Sequence, residues 1–204
     1  MGQQKIVIAS GNQGKIKEFK ELLQSFKLEL LEQAKFKIED VDETASTFVE
    51  NALLKAKNAA KISNLPAIAD DSGLVIPAIG GRPGLYSARF AGVSQNKDVA
   101  NINKVLSLMQ DIPHTQRQAY YISLVVFIEH HKDPAPIICQ GIWHGTIATQ
   151  PIGDGGFGYD PIFYVPEYQQ TAAQMDANVK NSMSHRYIAM HDLQQQLARK
   201  YKLA

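Results

Sequence analysis

Ile6-Val7-Ile8-Ala9-Ser10-Gly11-Asn12-Gln13-Gly14-Lys15-Ile16 is a short apolar run that breaks into a polar, glycine-containing turn. The run predicts a buried strand, because a continuous apolar stretch of this length suits a strand covered on both faces. Beyond the turn, Ile16, Phe19, Leu22, Leu23 and Phe26 recur at helical spacing, so the chain opens as strand, loop, helix. The same alternation continues outward. Thr47 and Glu50 form a Thr-x-x-Glu capping box. Phe48, Ala52, Ala56 and Ala59 give the helix that follows an apolar stripe, and Asn64-Leu65-Pro66 stops it. Leu65 to Ala69 reads as the next strand, ending in Asp70-Asp71-Ser72-Gly73. Val99, Ile102, Leu106 and Met109 mark a third helix; Tyr120 to Ile128 and Ile137 to Trp143 read as long strands. The loop Gly153 to Asp160 leads into a strand from Ile162 to Val165, and a last helix starting near Ser184 carries Ala189, Leu193, Leu197 and Tyr201. Intermixed strands and helices, some strands following one another directly, predict an α/β protein with a mixed sheet.

The 204 residues suffice for one large domain or two closely joined lobes, and no repeat or linker-like tract divides them. With 21 basic against 20 acidic residues the net charge is near zero, which gives no electrostatic reason to expect a nucleic-acid partner. A single cysteine, Cys139, excludes an internal disulfide framework and a paired-cysteine zinc site; within its apolar strand it reads as an inert core thiol. The longest apolar run, near Ile122 to Ile128, is far shorter than the roughly 20 residues of a membrane helix. The first ten residues offer too short an apolar stretch for a signal peptide, and Ile6 stands where a myristoylation signal needs a hydroxyl. A soluble protein of a reducing compartment is expected, with a cytoplasmic location.

Four places carry candidate chemistry. The first, Ser10-Gly11-Asn12-Gln13-Gly14-Lys15, lies at a helix start, where free backbone N–H groups and glycines favour an anion. Lys15 and Lys17 then oppose the helix dipole unless an anion binds. The spacing is not that of a P-loop, and the pattern equally fits an ordinary strand–helix turn. The second is Asp70-Asp71 at a strand end, where open α/β sheets place ligands. Adjacent carboxylates repel and suit Mg²⁺, although a solvated turn has the same composition. Alternation along a strand predicts unequal roles for the two. Asp42-Glu43 adds carboxylates, and Asn51, Lys55 and Asn58 share a helix face. The third is Gly155-Gly156-Phe157-Gly158-Tyr159-Asp160, where an aromatic between glycines suits stacking on a flat ring, or else the cover of a sheet edge. The fourth is Lys180 with Ser184-His185-Arg186, a second helix start rich in donors. One polyanion bound by both helix starts explains them more economically than two coincidences.

Taken together, IVIASGNQGKIKEF, TFVENALLKAKNAA, LPAIADDSGLVIPAIGGRPGLYSARFAG, GGFGYDPIFYVPE and the late SHR resemble the inosine/xanthosine triphosphate pyrophosphatases that clear non-canonical purine nucleotides. The similarity extends in particular to the bacterial dITP/XTP pyrophosphatases. It covers almost the whole chain, in the family's order. It implies one domain over residues 1–204, two-lobed, built around a long mixed β-sheet with flanking helices and an active-site cleft between lobes. It also implies a homodimer and Mg²⁺-dependent cleavage of a purine nucleoside triphosphate to the monophosphate and pyrophosphate. By motif match, Ser10, Gly11, Asn12, Gln13, Gly14 and Lys15 would hold the triphosphate with Lys55. Asp71 would be catalytic and bind Mg²⁺, supported by Glu43 and Asp70. Ser72, Phe157, Gly158, Tyr159, Asp160, Lys180, His185 and Arg186 would surround the nucleoside. A nucleotide sensor without turnover, or a pyrophosphatase for modified pyrimidines, are the competing expectations; the Asp71, Asp70 and Glu43 set weighs against the sensor.

Overall fold

The computed structural model describes residues 4–24, 26 and 28–201. In chain order its elements are β1 (Gln4–Ile8), α1 (Gln13–Leu22), β2 (Leu28–Glu32), α2 (Phe48–Ser63), β3 (Ala67–Ile76), β4 (Arg82–Pro83), α3 (Lys97–Leu108), β5 (Gln118–Ile128), β6 (Ile137–Ile147), β7 (Phe163–Val165), β8 (Gln170–Thr171), α4 (Ala177–Asn181) and α5 (His185–Tyr201). The strands hydrogen-bond in the order β2-β1-β3-β5-β6-β7-β8, with β4 on β3. β1 is parallel to β2 and β3, whereas β3–β4, β6–β7 and β7–β8 are antiparallel. The expected α/β class with a mixed sheet is therefore what forms. The chain makes two compact units, Met1–Asp71 with Ser123–Gly141 and Arg186–Ala204, and Ser72–Ile122 with Ile142–His185.

In the first unit the period-two alternation of the strands assigns each apolar residue to one of two cores. Ile6, Ile8, Ile68, Val125 and Phe127 pack with Ile16, Phe19 and Leu23 and with Ala189, Leu193 and Leu197 of α5. Val7, Ala9, Ala67, Ala69, Val126 and Ile128 pack instead with Ala52, Ala56, Ala59 and Ala60 of α2. Both sheet faces are covered, which is why these strands read as unbroken apolar runs. The α2 boundaries follow their signals. Thr47 Oγ1 accepts the Glu50 N–H at 3.3 Å, and the Thr47 hydroxyl donates to the Glu50 carboxylate at 2.7 Å. Such a cap stabilises a helix by about 1 kcal/mol. At the other end Asn64 turns left-handed at φ 53°, its N–H returning to the Ala60 carbonyl, and Pro66 follows.

The second unit centres on Leu74, Ile76, Ile102, Val105, Met109, Trp143 and Phe163. Arg117 is buried in it and donates to four backbone carbonyls: Ile147 and Met109 at 2.7 Å, Ala148 at 3.0 Å and Ile112 at 3.2 Å. Its guanidinium thus joins the end of α3 to the end of β6.

Several expectations change. β3 does not stop at Ala69 but continues through Asp70, Asp71, Ser72 and Gly73 to Ile76, so the carboxylate pair sits within a strand rather than beyond its end. Val99 faces outward, and the buried α3 positions are Asn101, Ile102 and Val105. Lys17 falls past the first turn of α1, in an exposed i,i+4 pair with Glu21. The sequence reading contains neither β2 nor α4, whose stretches lack a clear periodic pattern.

Cys139 is 1% exposed on β6, and Gln196 Nε2 lies 3.4 Å from its sulfur. Burial pushes its thiol up to about 12, so at pH 8 almost no thiolate exists to react. The native protein is expected to leave Ellman's reagent unreduced at that pH, and to yield one thiol per chain only once denatured. Rapid colour development before unfolding would contradict the buried, inert assignment.

Candidate active site

In the first unit, β1 delivers the chain to Ser10 and Gly11, and Asn12 caps α1: its Oδ1 accepts the Lys15 N–H at 3.2 Å, while its own N–H donates to Ser10 Oγ at 3.2 Å. Gly11 passes close to Asp40; a Cβ there would meet the carboxylate at 2.8 Å, so no larger residue fits without moving it. Gln13 and Gly14 are exposed at the helix start. Lys15 reaches back to β3, its Nζ 3.0 Å from Asp70.

Asp70 and Asp71 are consecutive on a pleated strand, so they point to opposite sheet faces, and their partners differ accordingly. Asp70 continues the face of Ile68 towards α1 and α5, where it meets Lys15 and, at 3.6 Å, Arg186 Nε. Arg186 also binds Glu18 of α1. The Asp70 side chain is 0% exposed; burial alone would raise its pKa, but Lys15 and Arg186 hold the carboxyl far below the ordinary carboxylate range. Lys15 responds oppositely: its own burial, with Arg186 and Lys55 nearby, lowers it despite Asp70. The dipole-opposing charge at α1 is therefore answered inside the protein, and the economy of a single polyanion for both helix starts loses part of its force.

Asp71 continues the face of Ala67 and Ala69 towards α2. Lys55 Nζ donates to Asp71 Oδ1 at 3.2 Å and to Glu43 Oε1 at 2.9 Å, and Asn51 Nδ2 donates to Asp71 Oδ2 at 3.3 Å. Asn51 is itself fixed by accepting the Ala45 N–H at 3.0 Å. Asn51 and Lys55 are one helical turn apart, so the shared face seen in the sequence does meet β3. Burial, reinforced by Glu43 and Asp70, raises the Asp71 pKa although Lys55 opposes it. Three cations, Lys15, Lys55 and Arg186, thus surround two carboxylates of opposite tendency. Lys55 ends above its ordinary value, because Asp70, Asp71 and Glu43 outweigh its burial.

These residues also test the fit of a divalent ion. Asp71 and Glu43 oxygens already converge on one positive charge, the Lys55 ammonium. Mg²⁺ keeps several waters and asks for only one or two carboxylates, so this pair fits it. Asp70 lies on the other face of the strand, where it meets Lys15 and Arg186. Among the described residues no group of three or more His, Cys, Asp or Glu is disposed around a metal, and no helix is long and apolar enough to cross a membrane.

In the second unit, Ser72 is half-buried on β3. The glycine loop is tied down by Asp160, whose Oδ2 accepts the Phe157 N–H at 2.9 Å and pairs with Lys180 of α4. Gly156 has φ +71°, and a Cβ on it would lie 2.1 Å from that same oxygen; only glycine serves there. Gly158 donates to Asp98 Oδ2 of α3 at 2.7 Å. Tyr159 is buried, its hydroxyl donating to the Ser87 carbonyl at 2.8 Å. The Phe157 ring remains 44% exposed, with Lys180 Nζ 5.0 Å from its centroid. His185 is buried and stacks on Tyr121, centroids 4.8 Å apart and planes 12° apart. Tyr159 and Asp160 are thus buried in the loop's own contacts, whereas the Phe157 ring is partly exposed beside Lys180. Asn51, Glu18, Asp98 and Tyr121 are absent from the site residues that the sequence leads one to expect. Only Asn51 leaves a sequence signal, its helical spacing from Lys55.

The family model for the Ham1 family matches residues 6–196. The chain belongs to the Ham1 family. Curated Ham1 relatives include the dITP/XTP pyrophosphatase of Pectobacterium atrosepticum, 49% identical over 90% of this chain and 92% of its own. That of Xanthomonas axonopodis pv. citri is 48% identical over 94% and 96%. Among solved structures, a HAM1 protein from Coxiella burnetii superposes with a TM-score of 0.90 at 45% identity, covering 97% of this chain and all of the other. A nucleoside-triphosphatase / dITP/XTP pyrophosphatase from Mycobacterium abscessus gives 0.78 at 37% identity, covering 93% and 98%. The Ham1 fold, an α/β arrangement with a long mixed sheet and flanking helices, is thereby shared over nearly the whole chain.

Proposed function

We propose that this Ham1-family chain is a Mg²⁺-dependent pyrophosphohydrolase that converts the non-canonical purine nucleoside triphosphates ITP, dITP and XTP to monophosphate and pyrophosphate, keeping them out of DNA and RNA. The observation that carries the reading is Asp71, a carboxylate with a raised pKa, held by Lys55 and Asn51 beside Glu43. It occurs in a chain 48–49% identical to curated dITP/XTP pyrophosphatases. In this reading the free N–H groups at the start of α1, with Ser10, Gly11, Asn12, Gln13, Gly14 and Lys15, receive the triphosphate, and Lys55 assists. Asp71 and Glu43 would hold Mg²⁺, which would supply charge neutralisation on the phosphate oxygens. Asp71 orients the attacking water and takes its proton. Asn51 limits the rotation of Asp71. Asp70 acts one step back, fixing Lys15 and Arg186.

The nucleoside falls to Ser72, Phe157, Gly158, Lys180, His185 and Arg186, with Tyr159 and Asp160 supporting their loop. Phe157 stacks on the base, while donors of His185 and Arg186 suit a purine 6-oxo group. A 6-amino group meets those donors with another donor, which leaves buried groups unpaired and disfavours ATP. GTP shares the 6-oxo group, so its exclusion rests on the 2-amino position. We take residues 1–204 as one catalytic domain, because the two units are built from interleaved stretches of chain, acting as a cytoplasmic homodimer.

The test is initial-rate pyrophosphate release with Mg²⁺ from ITP, dITP, XTP, GTP, ATP and a modified pyrimidine triphosphate. The expected kcat/KM preference for the first three is roughly 100-fold or more, the scale set by leaving designed hydrogen-bond partners unpaired. Equal rates would discard the account of the base. Binding without release would make the protein a sensor.

A further inference from the structure

The Phe157 ring of the glycine loop is 44% exposed, with Lys180 Nζ 5.0 Å from its centroid. The φ and ψ of Phe157 orient its Cα–Cβ bond and restrict the rotamers open to the ring, and those two angles are flanked by the peptide N–H of Phe157 and that of Gly158. Both N–H groups are captured by carboxylates. The Phe157 N–H donates to Asp160 at 2.9 Å, and the Gly158 N–H donates to Asp98 at 2.7 Å. The two anchors differ in origin. Asp160 belongs to the loop itself, three residues on; Asp98 comes from the first turn of α3, 60 residues earlier in the chain. Asp98 therefore ties the loop to α3, beside the ties that Tyr159 makes to Ser87 and Asp160 makes to Lys180. That element is itself secured: one turn further along α3, the buried Asn101 accepts the Ala91 N–H at 2.7 Å and donates to the Ser87 carbonyl at 3.2 Å. Gly158 has φ +62°, and its N–H is the group that Asp98 captures.

We propose that Asp98 is a positioning residue for nucleotide binding: through the Gly158 N–H it aims the Phe157 ring, and so sets how well the base stacks. The proposal rests on the reading of Phe157 as the stacking ring. A carboxylate accepting an N–H at 2.7 Å is a charge-assisted contact, stronger than a neutral one. Its loss frees the loop to sample other ring directions, and only the correctly aimed fraction binds, so apparent affinity falls by that fraction. The reacting phosphates are untouched, so the change belongs in KM and not in kcat.

The experiment compares wild type, Asp98→Ala, Asp98→Asn, Phe157→Ala and the double variant Asp98→Ala/Phe157→Ala. It uses steady-state ITP kinetics, with amide hydrogen exchange at Gly158 in the free protein. Asp98→Ala is expected to raise KM roughly five- to tenfold with kcat within about twofold, the scale of one lost charge-assisted hydrogen bond. It should also speed exchange at Gly158. Asp98→Asn, whose amide oxygen still accepts, should recover most of both, and the double variant should bind no worse than Phe157→Ala alone. If Phe157→Ala raises KM but Asp98→Ala does not, or if their effects multiply, Asp98 does not act through the ring and the proposal falls while the stacking reading stands. If Phe157→Ala leaves KM unchanged, the stacking reading fails and takes this proposal with it. Equal defects in Asp98→Ala and Asp98→Asn would mark a role in charge, not in position, and would overturn it as well.

Discussion

Asp71→Asn is expected to lower ITP turnover by roughly 10²- to 10⁴-fold, the range over which removal of a positioned proton acceptor acts. Asparagine keeps the size of the side chain and can still accept from Lys55 or Asn51, now 3.2 and 3.3 Å away. It cannot take a proton, and it gives a metal one neutral oxygen in place of a charged one. The fold should survive, because burial already raises the Asp71 pKa and Glu43 keeps Lys55 paired at 2.9 Å. Pyrophosphate release measured beside equilibrium ITP binding separates the effects: kcat should collapse while affinity changes far less. A variant that keeps substantial kcat would remove Asp71 from the chemistry.

Asp70→Asn should do the reverse, damaging the fold first. Lys15 and Arg186 approach a carboxylate with no exposed side-chain surface, and removing one partner of a buried charge group costs about 3–5 kcal/mol, because the remaining charges stay buried. Glu18 still meets Arg186, which leaves Lys15 the more exposed to loss. The pH dependence has a definite sign. The folded-state pKa of Asp70 lies below its unfolded value, so its stabilisation is complete above the unfolded pKa of about 3.9 and declines as pH falls towards the folded value. Urea unfolding of wild type and variant should therefore show the full gap at pH 7 and a narrowing one below pH 4. A constant gap across that range would mean that the charge is not what Asp70 contributes.

The first of these expectations follows already from the motif resemblance that makes Asp71 catalytic; the second needed the structure, because Lys15 and Arg186 reach Asp70 from distant parts of the chain. The α2 helix is legible from end to end, because Thr47, Glu50, Asn64 and Pro66 act within a few residues of themselves. The class of sheet follows from Ile6–Ala9 and Tyr120–Ile128 for the same local reason. β3 reads too short because Asp70, Asp71, Ser72 and Gly73 look like punctuation. They remain in a strand because Lys15, Arg186, Asn51 and Lys55 offset their desolvation from elsewhere in the chain, Arg186 from its far end. Unequal roles for the two aspartates are legible from strand alternation alone. What stays hidden is which helix each one meets, and that Glu18 and Asp98 take part at all. The loop at Phe157 is visible as a loop, but its anchoring by Asp98 depends on a contact with no local trace.

The pleat of β3 makes the address of each aspartate a matter of parity. Inserting or deleting a single residue between Ala67 and Asp70 would turn both carboxylates over, presenting Asp71 to α1 and α5 and Asp70 to α2. No substitution elsewhere restores such a change cheaply, since Leu74 and Ile76, further along the strand, turn over with them. Across divergent copies of this gene, then, the stretch should accept changes of spelling but not of length, while gaps collect in the connections. For anyone transplanting this centre into another scaffold, the unit to carry is the strand in its phase, with a helix already waiting on each side.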